Sequence, residues 1–243
     1  MQVYKELPVI TNQARRRPAE LVGIVSVTEE WTVARHRARA EEIIAREATF
    51  LLDAGTGMYL NAVLLDIPLA PKVSPRLRRR AQEAAAGEPN PRRAARAKEL
   101  ELAEAGGRGS IWEGDLRYDT AMVYLRPERH AVDAAIDERS RRITLNGLEE
   151  AERLRAMAAA GTRISPQVMD SVGVRELIAH LSGTLSLQRA QDLISTRTRR
   201  LARRQMRWFD KLARTLEGRA RITLVHSPYQ KKALHNMHDT IGI

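Results

Sequence analysis

The chain has 243 residues, 43% hydrophobic and 29% charged, enough for one large domain or two small ones with a sizeable core and too apolar for a disordered segment. It contains no cysteine, which excludes disulfides, thiolate metal sites and thiol catalysis, and no apolar run reaches the 18 residues of a membrane-spanning helix, so no membrane partner is expected. Lys and Arg total 41 against 30 Asp and Glu, a net charge of +11, and only six of the 41 are Lys; this surplus favours a polyanionic partner, and the guanidinium fork suits phosphate.

Residues 1–12 read as an irregular or strand-like start with no apolar stretch of a secretory signal, so a cytoplasmic address is expected. Arg15–Pro18 is a basic turn, and Leu21–Val27 is apolar and β-branched, weakened as a strand by its Gly. Thr28, followed by Glu29 and Glu30, predicts the N-cap of a helix running from about Trp31 to Arg46. Thr49–Leu52 predicts a buried parallel strand, ending at Asp53-Ala54-Gly55-Thr56-Gly57 and followed at once by a helix over Met58–Leu65. Strand, glycine turn and helix form an α/β crossover unit.

Pro68, Pro71 and Pro75 interrupt the chain before two basic segments, Arg76–Arg80 and Arg92–Lys98, and Gly106–Gly109 reads as a flexible loop. Thr120–Leu125 predicts another buried strand. Helices are predicted over about 129–143, 147–159, 165–182 and 186–216, punctuated by Gly161, Gly173 and Gly183. A weak strand at Ile222–Val225 opens a tail with a Lys- and His-rich end.

In the last long helix Arg199, Arg200, Arg203, Arg204 and Arg207 fall within an arc of about 140°, with Ile194, Leu201, Gln205 and Trp208 facing the other way. Such a face is either merely solvated or a surface that tracks phosphates; the near absence of acidic partners favours the second. The two earlier basic segments point the same way. Aromatic residues are only 4%, which argues against a binder of single strands built on stacking. His235 and His238 have helical spacing but no carboxylate in ligand position, so no metal site is assigned. Neither G-x-G-x-x-G nor G-x-x-x-x-G-K-S/T occurs.

Several segments, in order, resemble the tRNA dimethylallyltransferase (tRNA isopentenyltransferase) family. Met1–Lys5 is similar to the end of its D-S-x-Q-V-Y-R/K motif, and Asp53–Tyr59 to its V/A-G-G-T-G-L/M-Y turn. Ser74–Arg78 resembles D-P-x-V/L-R, and Asn90–Arg96 resembles D-P-x-R-L/I-x-R. Ile136–Arg139, Ser171–Leu177 and Arg199–Phe209 are similar to R-I-D-x-R, x-I/V-G-Y-K/R-E-L/F and the family's T-R-R/Q-Y/L-A-K/R-R-Q-x-T-W-F segment. The set covers about residues 1–210.

The resemblance implies an α/β fold, a P-loop-NTPase-like parallel sheet incomplete at its N-terminus, with a largely helical C-terminal part. The implied divisions are an α/β core over 1–75, a shortened tRNA-binding insertion over 76–115, a returning strand and helical tRNA-binding part over 116–216, and a tail over 217–243. The implied activity is transfer of a dimethylallyl group from dimethylallyl diphosphate to N6 of the adenine just 3′ of a tRNA anticodon, with Mg²⁺ and a P-loop holding the diphosphate. That P-loop and the family's catalytic Asp would precede Met1, so no cofactor-binding residues are assigned, and little or no transfer is expected of the residues as written. The alternative is a non-catalytic basic RNA-binding homologue. The resemblance gives Thr56 and Arg139 catalytic roles, a hydroxyl near the reacting centre and a cation for diphosphate. It places Gln2 at the target base, Arg78, Arg92, Arg93 and Arg96 on the tRNA backbone, and Arg175, Arg203, Arg204, Gln205 and Trp208 at the anticodon stem-loop. A monomer is expected.

Overall fold

The computed structural model describes residues 2–69, 73–89, 91–103 and 110–226, the side chains of 91–93 excepted. Its elements are α1 (Val33–Ile44), α2 (Gly57–Leu64), α3 (Pro75–Ala84), α4 (Pro91–Leu102), β1 (Ala121–Leu125), α5 (Arg129–Asn146), α6 (Leu148–Ala159), α7 (Pro166–Met169), α8 (Val174–Leu181), α9 (Leu187–Leu216) and β2 (Arg221–Val225). The strands pair in parallel, from Ala121 opposite Arg221 to Leu125 opposite Val225. Four helical segments and α9 lie between them, so the fold is α/β with a small parallel sheet and many helices.

The chain divides into two compact units, Met1–Leu60 with Asp119–Ile243, and Asn61–Tyr118. The larger unit is organised on a core of Tyr4, Leu7, Ile10, Val27, Trp31, Ile143, Leu154, Leu177 and Ile194. The N-terminal segment is tied into that core by Glu150 of α6, whose carboxylate accepts from the backbone N–H groups of Val9 (2.7 Å) and Ile10 (2.9 Å). Helix α9 is anchored along its length. Arg197 meets the Glu176 carboxylate of α8 at 2.5 Å, Arg199 meets Asp137 of α5 at 2.5 Å, and Asp210 accepts from Tyr124 (2.9 Å) and Arg126 (2.8 Å) at the end of β1.

In the smaller unit α3 and α4 pack as a helical pair over small residues, with Ala81, Ala85 and Ala95 buried. Leu65 and Leu116 form an antiparallel bridge, and the Asp66 N–H donates to the Asp115 carbonyl at 2.8 Å.

Several expectations are corrected. Residues 49–52 form no strand, and Leu51 is 80% exposed; an apolar run becomes a strand only where a neighbour completes its ladder, and none of the described residues does. The turn and helix that follow stand as expected. The cap of α1 is Thr32 rather than Thr28, its hydroxyl accepting from the Arg35 N–H. Glu29 instead closes a turn by accepting from the Ser26 N–H at 3.2 Å. The helix expected over 165–182 is split: α7 ends at Met169 with Asp170 as its C-cap, and α8 starts anew after Gly173, which takes φ +107° at its N-cap. In β1 only Tyr124 is buried, and Leu125 is 56% exposed. The loop Gly106–Gly109 and the histidines of the tail lie outside the described residues.

Candidate functional site

The Asp53–Gly57 turn seats directly on α9. The Gln205 side-chain amide donates to the Gly55 carbonyl at 2.5 Å, and the Trp208 indole packs against Gly57. A Cβ on residue 57 would sit 2.0 Å from Trp208 Cδ1, so only glycine allows this approach. Gln205 and Trp208 are three apart, hence neighbours on one helix face. Thr56, between the two glycines, is exposed, and its carbonyl accepts the first bond of α2 from the Leu60 N–H at 3.2 Å. The structure thus brings together three residues expected at the site: Thr56, Gln205 and Trp208.

The rest of α9 behaves in two ways. Arg199 is engaged by Asp133 and Asp137, whereas Arg200, Arg203, Arg204 and Arg207 are exposed and have no carboxylate partner among the described residues. Leu201, expected on the packed side, is 37% exposed. Four uncompensated guanidinium groups along two turns create a field that attracts a phosphate backbone.

Gln2 is held in a polar network that sequence reasoning missed. Its Nε2 donates to the Asn12 carbonyl at 2.6 Å, and its Oε1 accepts from Arg15 Nη2 at 2.6 Å. The Arg15 guanidinium also donates to the Asn12 carbonyl (3.1 Å) and lies 3.7 Å from the Asp53 carboxylate, three residues before Thr56. Arg142 of α5 donates to Asn12 Oδ1 at 2.9 Å. One turn earlier on α5, Arg139 has a buried Nε with no hydrogen-bond partner. Burial, then the charge of Arg142, lowers the Arg139 pKa. No hydrogen bond or ion pair joins Arg139 to Thr56 among the described residues. A signal for Arg142 was present: it follows Arg139 by three positions on one helix face.

Other expected contacts are engaged within the protein. Arg78 and Arg96 both pair with Glu99, whose side chain is 9% exposed, and Arg175 pairs with Asp170 at 2.6 Å. The side chains of Arg92 and Arg93 lie outside the described residues. On α3 the cations left exposed without a partner among the described residues are Arg76, Arg79 and Arg80. Among the described residues no group of three His, Asp or Glu side chains could hold a metal ion, and no helix is long and apolar enough to cross a membrane.

A family model described as IPP transferase matches residues 2–212. A tRNA dimethylallyltransferase of Rubrobacter xylanophilus is 61% identical, over 100% of this chain and 85% of that protein. The tRNA dimethylallyltransferase 1 of Citrifermentans bemidjiense is 31% identical, over 87% of this chain and 78% of that protein. Among solved structures, a tRNA isopentenylpyrophosphate transferase from Bacillus halodurans superposes with a TM-score of 0.68 at 22% identity, covering 99% of this chain and 84% of that one. One from Staphylococcus epidermidis gives 0.67 at 18% identity, covering 100% and 88%. At such identities the two structures speak for the fold alone. The motif resemblance, the ordered match along 2–212 and the 61% identical relative agree, and the chain belongs to the IPP transferase family.

Proposed function

We propose that this chain is a tRNA dimethylallyltransferase, acting with dimethylallyl diphosphate on N6 of the adenine 3′ of the anticodon. Within the family assignment, the observation that carries the reading is the seat of the Gly55-Thr56-Gly57 turn on α9. It sets an exposed hydroxyl beside a helix that carries four exposed arginines with no carboxylate partner among the described residues.

In the reaction the N6 nitrogen attacks the allylic carbon, the carbon–oxygen bond to diphosphate breaks with the electron pair leaving on diphosphate, and N6 gives up a proton to water. Charge grows on the leaving diphosphate, so the chemistry needs a fixed cation there more than a strong nucleophile. Arg139 is suited to that role because its guanidinium is partly desolvated and has no carboxylate partner among the described residues. Thr56 Oγ offers a hydrogen bond at the reacting side. Arg203, Arg204 and their neighbours on α9 hold the anticodon stem-loop, with Trp208 and Gln205 fixing the turn rather than reaching for RNA. Arg175, Arg78 and Arg96 contribute to RNA binding only after leaving their carboxylates, so their share is smaller. The adenine must leave its stack, which is cheap in a loop. A cytoplasmic, monomeric protein goes with this reading.

The test is incubation with labelled dimethylallyl diphosphate and an anticodon stem-loop. Salt-sensitive binding with label on the adenine supports the transferase. Binding without label would leave the non-catalytic RNA-binding alternative, and absence of binding overturns both.

A further inference from the structure

We infer that the loop from Asn12 to Leu21 is a preformed seat for RNA phosphates, presenting Arg16 and Arg17, an inference that rests on the proposed function. The loop carries three consecutive arginines, and the structure uses them differently. Arg15 is the brace. Its Nη1 donates to the Asn12 (3.1 Å) and Ala14 (3.2 Å) carbonyls, its Nη2 donates to Gln2 Oε1 (2.6 Å), and its Nε lies 3.7 Å from the Asp53 carboxylate. Arg16 and Arg17 are exposed and have neither a hydrogen-bond nor a carboxylate partner among the described residues. Glu20, the nearest acid along the chain, pairs with neither. Beside them opens a cavity of about 400 Å³ lined by Gln13, the three arginines, Pro18 and Val22.

The loop is held at both ends. Asn12 takes φ +54° and Leu21 φ +62°, a left-handed backbone that side chains rarely adopt and that persists only where neighbours impose it. At the first, Arg142 of α5 donates to Asn12 Oδ1 at 2.9 Å, and the Gln2 amide donates to the Asn12 carbonyl at 2.6 Å. Just after the second, the N–H groups of Gly23 and Ile24 donate to the Gln2 and Val3 carbonyls at 2.9 and 2.8 Å. The two free guanidinium groups thus stand on a fixed backbone, and a ligand does not pay to order the loop. Its place selects the occupant. Asp53, against Arg15, opens the turn whose Gly55 carbonyl is held by Gln205 of α9, next to the exposed Arg203 and Arg204. Both basic surfaces belong to the same compact unit and are joined through that turn. A polymer with a charge at every nucleotide engages both, whereas a free diphosphate engages one. The cavity lining holds no aromatic ring on which a base could stack, so the contact is to the RNA backbone.

The test is anisotropy titration of a labelled anticodon stem-loop between about 50 and 200 mM salt. R16A/R17A is expected to weaken binding by about tenfold at 0.1 M salt and to flatten the log–log slope by about 1.5–2. R16K/R17K keeps both charges and is expected to keep the slope; R16Q/R17Q serves in place of the alanine pair if that fails to fold. Combining R16A/R17A with R203A/R204A should lower the slope by about the sum of the two pairs. Inorganic pyrophosphate should raise the melting temperature of wild type and R16A/R17A equally. A wild-type slope in R16A/R17A, with the stem-loop still bound, overturns the phosphate seat alone. A pyrophosphate shift lost in R16A/R17A makes the loop a small-anion site and overturns the assignment to RNA. No wild-type binding to the stem-loop overturns the proposed function itself.

Discussion

Replacing Gly57 by alanine tests the seat of the turn on α9. The added Cβ would lie 2.0, 2.1 and 2.4 Å from Trp208 Cδ1, Nε1 and Cγ. Carbon atoms rest at about 3.5 Å, so the indole or the start of α2 must retreat by about 1.5 Å. Overpacking of this kind costs about 1–3 kcal/mol, and moving α9 would also loosen the Gln205–Gly55 hydrogen bond, worth about 1 kcal/mol. Alanine is the better helix former by at most about 1 kcal/mol, so the clash decides the sign. G57A should unfold at lower urea with an unchanged m-value, destabilised by about 2 kcal/mol, as followed by far-UV circular dichroism. The same change made in Trp208→Ala, where the indole is gone, should cost almost nothing. A coupling of at least about 1 kcal/mol between the two positions is the signature of direct contact. Equal cost in both backgrounds would refute the seat.

The paired change R203A/R204A should weaken stem-loop binding and flatten its log–log salt slope by about 1.5–2, whereas R175A, whose guanidinium already faces Asp170, should flatten it by less than one; salt titration by fluorescence anisotropy separates them. The Tyr124 hydroxyl donates to Asp210 and to the Met206 carbonyl, and burial, then these contacts to Asp210, push its pKa up to about 12. Because the folded value lies above the unfolded one, its contribution to stability is complete below pH 10 and is lost as pH rises toward 12. Tyr124→Phe should therefore remove no tyrosinate absorbance below about pH 11 in the folded protein; a lost tyrosinate titrating near 10 contradicts the burial argument.

What could be read from the sequence follows from how local each signal is. Helix α9 was legible almost to the residue, because 30 residues of periodic apolar and basic positions are specified by the segment itself, with Ser186 capping it. Both strands were legible in place, though not how little of β1 is buried. The run at 49–52 was not legible as irregular chain, because its composition fits a strand and only the missing neighbour decides otherwise. Of two threonines four residues apart, composition chose Thr28, while Thr32 has the cap geometry. The pairing of Arg96 with Glu99 is local and could have been anticipated, but Arg78 reaches the same carboxylate from another helix. The Gln2 network lay furthest from sequence reasoning, since Arg142 and Asn12 are 130 positions apart.

Arg139 offers the sharpest separation of stability from function. A guanidinium stays charged at any working pH, and here it is partly buried, lacks a carboxylate among the described residues, and stands near Arg142. Such a group is an expense to the fold, of order 1–3 kcal/mol by analogy with unpaired buried polar groups. Arg139→Leu keeps an apolar stem in the same place and removes the charge, so it should leave the protein as stable as the wild type or more so, at about 2–4 °C in Tm for each kcal/mol. An anion that pairs with Arg139 reverses the balance. Pyrophosphate at a hundredfold its Kd should stabilise the wild type by about 2.7 kcal/mol, and the same concentration should do far less for R139L. Thermal unfolding with and without pyrophosphate reads both effects in one series. If R139L is the less stable protein, and pyrophosphate raises both melting points equally, then Arg139 is an ordinary packed arginine and the leaving diphosphate is held elsewhere.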